Sequence, residues 1–183
     1  MFDLINNNLF WFLIVPGIVF VIYGAVIYLM DREKHLTISQ CVSKTKLRSL
    51  IFALIIGLGS IPIYLTLILW LGPSRDLSIW YYVAVLGAMI GQIILLVFPH
   101  KKDSFRVHNV GANLWSYMVV VICLTILFSG KTTLVERIFL IQFIVSGVII
   151  SIILFPQKFG RFTFAAEAFG LVNWAVTLLV LAF

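Results

Sequence analysis

Long runs of apolar residues alternate with short polar segments along the whole chain. Six of these runs are long enough for helices that cross a hydrocarbon core of about 30 Å, which requires about 20 residues. The runs show no period-two alternation, so the pattern indicates α-helices rather than β-strands. The six predicted spans are residues 9–30, 50–71, 79–98, 110–128, 138–155 and 162–183.

Short connections between the predicted spans favour packing of each helix against its neighbours in sequence. The composition points the same way, because 62% of the 183 residues are hydrophobic and 11% are charged. Soluble domains have about 45–50% apolar and 25% charged residues. About 60 residues lie outside the spans, which excludes a separate Rossmann, P-loop or TIM-barrel domain. We therefore predict an all-α polytopic membrane protein, a compact bundle of six transmembrane helices forming one domain over residues 1–183.

The basic residues are distributed unevenly between the two ends of the predicted bundle, and the net charge of the chain is +6. Loops 1, 3 and 5 carry ten Lys and Arg residues, and the other end carries three, which are Arg75, Lys131 and Arg137. Under the positive-inside rule this predicts a multi-pass protein of the cell membrane, with loops 1, 3 and 5 in the cytoplasm and both termini outside. The charge is thus a signal of orientation, and we expect no binding to nucleic acid.

Two cysteines and one glycine motif bear on packing. Cys41 and Cys123 are the only cysteines and form no CxxC motif, which argues against a thiol redox protein or a disulfide scaffold. Gly87 and Gly91 form a GxxxG motif whose small residues share one helix face. We expect this face to pack within the bundle, and a homo-oligomer interface is the alternative.

Glu167 is the only charged residue inside the six predicted spans. An acidic group at the centre of a membrane helix costs about 2.5–3.5 kcal/mol, so such a residue is retained where it has a partner, a proton or access to water. Glu167 lies five residues after Phe162, or about 8 Å inside the end formed by loop 5. It is therefore a candidate functional residue.

Four further polar residues are expected at the same end of the bundle. His108 and Asn109 precede span 4, Asn113 lies one turn further in, and Gln92 lies six residues before the end of span 3. Loops 3 and 5 share one face of the membrane, so these side chains and Glu167 should lie within about 10 Å of one interface. An imidazole and a carboxylate there could act as a general acid/base pair or proton relay, or could link helices by a hydrogen bond.

The sequence offers little support for a catalytic or metal centre. His100, Asp103 and His108 lie in or next to loop 3, but their spacing matches no established pattern of metal ligands. Ser104 and Ser116 are candidate nucleophiles through proximity to His108 alone. We expect no metal and no cofactor, and the sequence favours a protein without catalytic activity while leaving catalysis open.

Three segments resemble a six-span family of membrane proteins. They are Gly87-Ala-Met-Ile-Gly-Gln92 late in span 3, His108-Asn-Val-Gly-Ala112 at the start of span 4 and Ala165-Ala-Glu-Ala168 early in span 6. With the number and order of spans, they are similar to the DRAM-like family, which comprises the damage-regulated autophagy modulators, the GPI-anchor remodelling factors and uncharacterised bacterial relatives.

The resemblance implies a protein of lipid remodelling or membrane homeostasis, with the family's histidine at His108 and its acidic residue at Glu167. The chain departs from the family pattern in two respects. Ala168 stands where members usually carry an aromatic residue, and members usually have both termini in the cytosol.

Three functions are compatible with these patterns. The first is a polar pocket at the membrane interface, formed by His108, Glu167, Asn113, Gln92 and Asn109, that handles a lipid headgroup or an amphiphile. The second is a noncatalytic scaffold or assembly subunit with a membrane protein partner. The third is a small solute-binding subunit of a transporter.

Overall fold

The computed structural model describes residues 2–31, 38–98, 103–154 and 163–183, and this part of the chain is helical with no strand. We number its helices α1 to α8. Helix α4 changes from α-helical at Lys46–Thr66 to a π-helical turn at Leu67–Leu71 and ends with Gly72–Ser74. The bounds are Phe2–Asn7 (α1), Leu9–Asp31 (α2), Ile38–Ser43 (α3), Lys46–Ser74 (α4), Ile79–Val97 (α5), Phe105–Leu127 (α6), Leu134–Leu154 (α7) and Thr163–Ala182 (α8).

Three of the predicted spans coincide with helices that are long and apolar enough to cross a membrane. These are α4, α5 and α6, whose most apolar stretches of 18 residues have mean hydropathies of 2.3, 2.0 and 2.0. Helices α2, α7 and α8 cover the remaining predicted spans. Within the described ranges, the apolar segments of α2 and α8 are the shorter Trp11–Ile27 and Ala168–Ala182. The fold is therefore all-α with three membrane-capable helices, and six crossings stay a prediction.

The six long helices form a closed ring, in which each packs against the next along the chain and α8 returns to α2. The pair α5 and α6 is the most closely packed. A Cβ atom on Gly91 would lie 2.5 Å from the backbone nitrogen of Trp115 and 2.9 Å from the carbonyl oxygen of Gly111. A Cβ atom on Gly87 would meet the side chain of Met118 at 2.8 Å. The GxxxG motif thus packs within the bundle, as predicted.

The main core lies toward one end of the ring, which we call the Arg75 end because that residue follows α4 there. Tyr81, Ile122, Ile126 and Leu140 are completely buried in this core. The hydroxyl of Tyr81 donates a hydrogen bond of 3.0 Å to the carbonyl oxygen of Leu67, in the π-helical turn of α4. We call the opposite end, where α5 ends and α6 begins, the His108 end.

The outer surface of the ring is lined by large aliphatic side chains. On α4 and α5 they recur every three or four residues, which places them on one face of each helix. Soluble proteins rarely expose continuous apolar patches of more than a few hundred Å², so these stripes suit a hydrocarbon environment. These stripes are formed by Leu50, Leu54, Leu58, Ile61 and Leu65 on α4 and by Val83, Leu86, Ile90, Ile93 and Val97 on α5.

Candidate functional site

His108 is buried in the first turn of α6 and links that helix to the end of α5. Its Nδ1 atom lies 2.7 Å from the carbonyl oxygen of Phe98. Because a carbonyl only accepts hydrogen bonds, this contact places a proton on Nδ1. The hydrogen bond fixes the orientation of the ring and offsets the free-energy cost of burying the imidazole.

Asn109 and Asn113 lie on a different face of α6. Asn109 is half-buried and Asn113 is exposed, and the two are four residues apart, so they share one face of the helix. Asn113 lies eight residues after the start of α6, or about 12 Å along its axis. Asn113 is five residues after His108, so its side chain points in a different direction and lies about 7.5 Å further along the helix axis.

Gln92 is part of a hydrogen-bonded group that joins α5 to α4. The hydroxyl of Tyr64 donates to its Oε1 atom at 2.6 Å, and its Nε2 atom donates to Ser60 Oγ. Ser60 Oγ in turn donates to the carbonyl oxygen of Ile56 at 2.5 Å. We call Ser60, Tyr64 and Gln92 the polar bridge. Sequence reasoning grouped Gln92 with His108, but the hydrogen bonds of its side chain run to α4.

A groove of about 210 Å³ lies between α4 and α5 beside the polar bridge. Ser60, Tyr64 and Gln92 line it together with apolar residues of both helices. At its end nearest His108 it is bounded by Gly57 and Leu96. The sequence does not predict this groove, because no local sequence pattern specifies which faces of two apolar helices pack together.

Glu167 lies within α8, near its beginning, and its side chain is outside the described part of the structure. The next residue, Ala168, packs against a small cluster formed by Ile27, Ile38, Cys41 and Val42. The beginning of α8 is thus next to α2 and α3 at the His108 end. The predicted pairing of His108 with Glu167 stays a prediction.

No protein-family model, curated protein or solved structure matches the chain. Kinship with the DRAM-like family is therefore an expectation that rests on the three sequence segments alone. Among the residues that the structure describes, no group of three His, Cys, Asp or Glu side chains could hold a metal ion.

The Arg75 end contains an ion pair that sequence reasoning missed. Arg75 donates to both carboxylate oxygens of Glu136 and to the carbonyl oxygens of Lys131 and Leu181, each of the latter at 3.0 Å. The Thr133 N–H donates to the same carboxylate at 2.6 Å, and the Glu136 N–H donates to Thr133 Oγ1 at 3.3 Å. These reciprocal bonds form a capping box at the start of α7, the one local signal that marks Glu136 in the sequence.

Electrostatics at Glu136 favour the charged form. Burial raises the pKa of the Glu136 carboxyl group. Hydrogen bonds from Arg75 and Thr133 and the charge of Arg75 together lower this pKa by more than burial raises it, so it lies below its ordinary value. Glu136 lies outside the predicted span 138–155. With its acceptors occupied by groups of the chain, this ion pair is suited to hold helices together.

Proposed function

We propose that the chain is a six-span membrane protein whose His108 end binds the headgroup of a lipid or other amphiphile. Loops 1, 3 and 5 lie in the cytoplasm in this proposal. The observation that carries it is the buried imidazole of His108, oriented by the Phe98 carbonyl at the end of an apolar helix. An ionisable side chain in the apolar part of a membrane protein is by default a candidate functional residue, and Glu167 is expected at the same end.

Outward-facing amides at this end also support a polar ligand. Asn113 is exposed on the surface of α6, where the neighbouring positions Val110 and Tyr117 are exposed as well. In hydrocarbon, an amide without a hydrogen-bonding partner costs several kcal/mol. A phosphate or ester group of a lipid would supply acceptors for Asn109 and Asn113.

The charge at the His108 end favours an anionic headgroup. Lys46 and Arg106 are exposed in the first turns of α4 and α6. A basic residue close to the membrane surface attracts anionic lipid by about 1 kcal/mol. We therefore expect a preference for an anionic over a zwitterionic headgroup of the same chain length.

Native mass spectrometry of the purified protein tests this proposal. The probes are phosphatidylglycerol and phosphatidylcholine with identical chains, and the measurement is the ratio of the two lipids retained. We expect His108→Ala and Glu167→Gln to lower this ratio by about tenfold, which corresponds to about 1.4 kcal/mol. Thr125→Ala is the matched control, because Thr125 also donates to a carbonyl, that of Ile122, but lies near the opposite end of α6.

The alternatives give different results in the same preparation. A scaffold or assembly subunit would be isolated with a stoichiometric protein partner, which His108→Ala would release while the lipid ratio stayed unchanged. A transporter subunit would retain a small solute instead of a lipid. Equal lipid ratios in the parent and in both variants would refute the headgroup site.

A further inference from the structure

We propose that the groove between α4 and α5 holds the hydrocarbon chain of the bound amphiphile, an inference that rests on the proposed function. The groove opens at the lipid-facing stripes, between the exposed side chains of Ile61 and Leu65 on α4 and Ile93 on α5. Any occupant therefore enters from the hydrocarbon region. This site lies apart from His108 and takes a different part of the ligand.

Gly57 and the polar bridge explain why the groove exists. A Cβ atom on Gly57 would contact only Leu96 Cδ1, at 3.5 Å, so the missing side chain leaves space next to α5. The polar bridge connects the two helices beside that space. Among the described residues, every buried side-chain nitrogen or oxygen has a hydrogen-bonding partner. The bridge is thus satisfied by the protein itself, and the groove presents an apolar wall to its occupant.

The dimensions of the groove favour a hydrocarbon chain over a helix. Its α4 wall runs from Gly57 to Ile68, a length of about 16 Å at 1.5 Å per residue. Even with the open space at its mouth included, the groove encloses about 590 Å³, which over that length gives less than half the cross-section of a helix with a diameter of about 10–12 Å. An extended hydrocarbon chain is thin enough to enter.

One end of the groove lies close to the proposed headgroup site along α5. Leu96, at one end of the groove, lies two residues before Phe98, whose carbonyl oxygen binds His108. A chain attached to a headgroup beside His108 can therefore enter the groove at Leu96 and run along α4 toward Ile68. One amphiphile would occupy both sites.

Photo-crosslinking of the full-length protein tests the groove. The probe is phosphatidylglycerol with a diazirine in the middle of one chain, in vesicles of phosphatidylglycerol and phosphatidylcholine. The exposed residues Val15, Ile18, Ile22 and Val26 of α2 measure labelling by bulk lipid. We expect residues 57–68 and 89–96 to be labelled about tenfold above that baseline, which corresponds to about 1.4 kcal/mol of preference.

Gly57→Leu should fill the groove and return the labelling of both segments to the α2 baseline. Gly147→Leu is the control, because a Cβ atom on Gly147 meets nothing within 4 Å, and it should leave the parent pattern intact. If Gly57→Leu does not fold, Gly57→Ala, whose methyl group fits at ordinary contact distance, should give a partial decrease.

Uniform labelling of the parent, or groove labelling that survives Gly57→Leu, would overturn the inference. So would a dimer that Gly57→Leu converts to monomer without a change in lipid labelling, because the groove would then hold a second copy. The headgroup proposal fails separately. In that case Gly57→Leu abolishes groove labelling while His108→Ala keeps the parental lipid ratio.

Discussion

The guanidinium group of Arg75 binds both carboxylate oxygens of Glu136, a residue 61 positions further along the chain. The side chains of Arg75 and Glu136 are 14% and 8% exposed, so water screens the pair only weakly. Arg75 also donates a hydrogen bond to the carbonyl oxygen of Leu181, at the end of α8. One side chain thus joins the end of α4, the start of α7 and the end of α8.

Removing Arg75 should destabilise the bundle strongly. Arg75→Ala leaves the Glu136 carboxylate buried without its cation, and breaking a buried pair in this way costs about 3–5 kcal/mol. Arg137→Ala is the control, because Arg137 is exposed and its side chain donates to the Thr132 hydroxyl; a surface substitution of this kind usually changes the free energy of unfolding by less than about 0.5 kcal/mol. Unfolding in detergent measures both variants, and equal stabilities would show that the pair contributes little.

The ion pair also predicts an acid-side dependence of stability. The folded-state pKa of Glu136 lies below its ordinary value, so its contribution is complete above the unfolded-state pKa and is lost as the pH falls through the folded-state pKa. Glu136→Gln should flatten this acid-side loss. Asp76→Asn should leave it nearly unchanged, because the Asp76 side chain is 91% exposed in its pair with Lys131. Identical pH profiles for the parent and Glu136→Gln would contradict the assignment.

The close approach of α5 and α6 predicts opposite effects at two glycines. Gly91→Ala places a Cβ atom against backbone atoms of Trp115 and Gly111, which cannot move alone, and overpacking of this kind costs about 1–3 kcal/mol. Gly147→Ala has open space and should be neutral or stabilising by up to about 1 kcal/mol, since alanine is the better helix former. Melting temperatures in detergent compare them. Equal changes in melting temperature for Gly91→Ala and Gly147→Ala would mean that α5 and α6 are further apart than the structure places them.

The polar bridge should contribute modestly to stability. Gln92→Leu removes the bonds to Tyr64 and Ser60, and interhelical hydrogen bonds in membranes average about 0.6 kcal/mol with a maximum near 1.7. We expect a loss of about 1–2 kcal/mol in unfolding measurements. Gln142→Leu is the control, because Gln142 is exposed on α7 and leucine is better suited to contact with lipid. A greater loss at Gln142 than at Gln92 would argue against the bridge.

Hydropathy predicts the starts of the helices to within a few residues. The differences between predicted and observed starts have one physical cause. Helices α4, α6 and α7 begin at Lys46, Phe105 and Leu134, four or five residues before the predicted spans 50–71, 110–128 and 138–155. Hydropathy detects the part of a helix that suits hydrocarbon, whereas backbone hydrogen bonding begins earlier, among polar residues. In α4 the cap is visible, since the Thr45 side chain accepts a hydrogen bond from the Arg48 N–H.

The partners of polar side chains could not be predicted in the same way. Gln92 was grouped with His108 by depth alone, and depth does not specify the direction in which a side chain points on a helix. The sequence places Arg75 and Glu136 outside the predicted spans but does not pair them, because nothing local relates residues in different hairpins. The role of His108 in a polar pocket stays a prediction, and no local sequence pattern specifies its bond to the Phe98 carbonyl.

The membrane topology is the central claim, and cysteine labelling tests it most directly. Cys41 and Cys123 are both buried, so native thiols are unsuitable and exposed positions are needed. Exposed Ser78 and Lys131 lie at the Arg75 end, and exposed Lys44 and Asp103 lie at the His108 end. Each is replaced singly by cysteine and treated in intact cells with a membrane-impermeant maleimide.

Six crossings with loops 1, 3 and 5 in the cytoplasm predict labelling of Ser78→Cys and Lys131→Cys in intact cells. Lys44→Cys and Asp103→Cys should react only after lysis. The reverse pattern would contradict the orientation, and labelling of Lys44→Cys and Ser78→Cys from the same side would contradict the crossing of α4 itself.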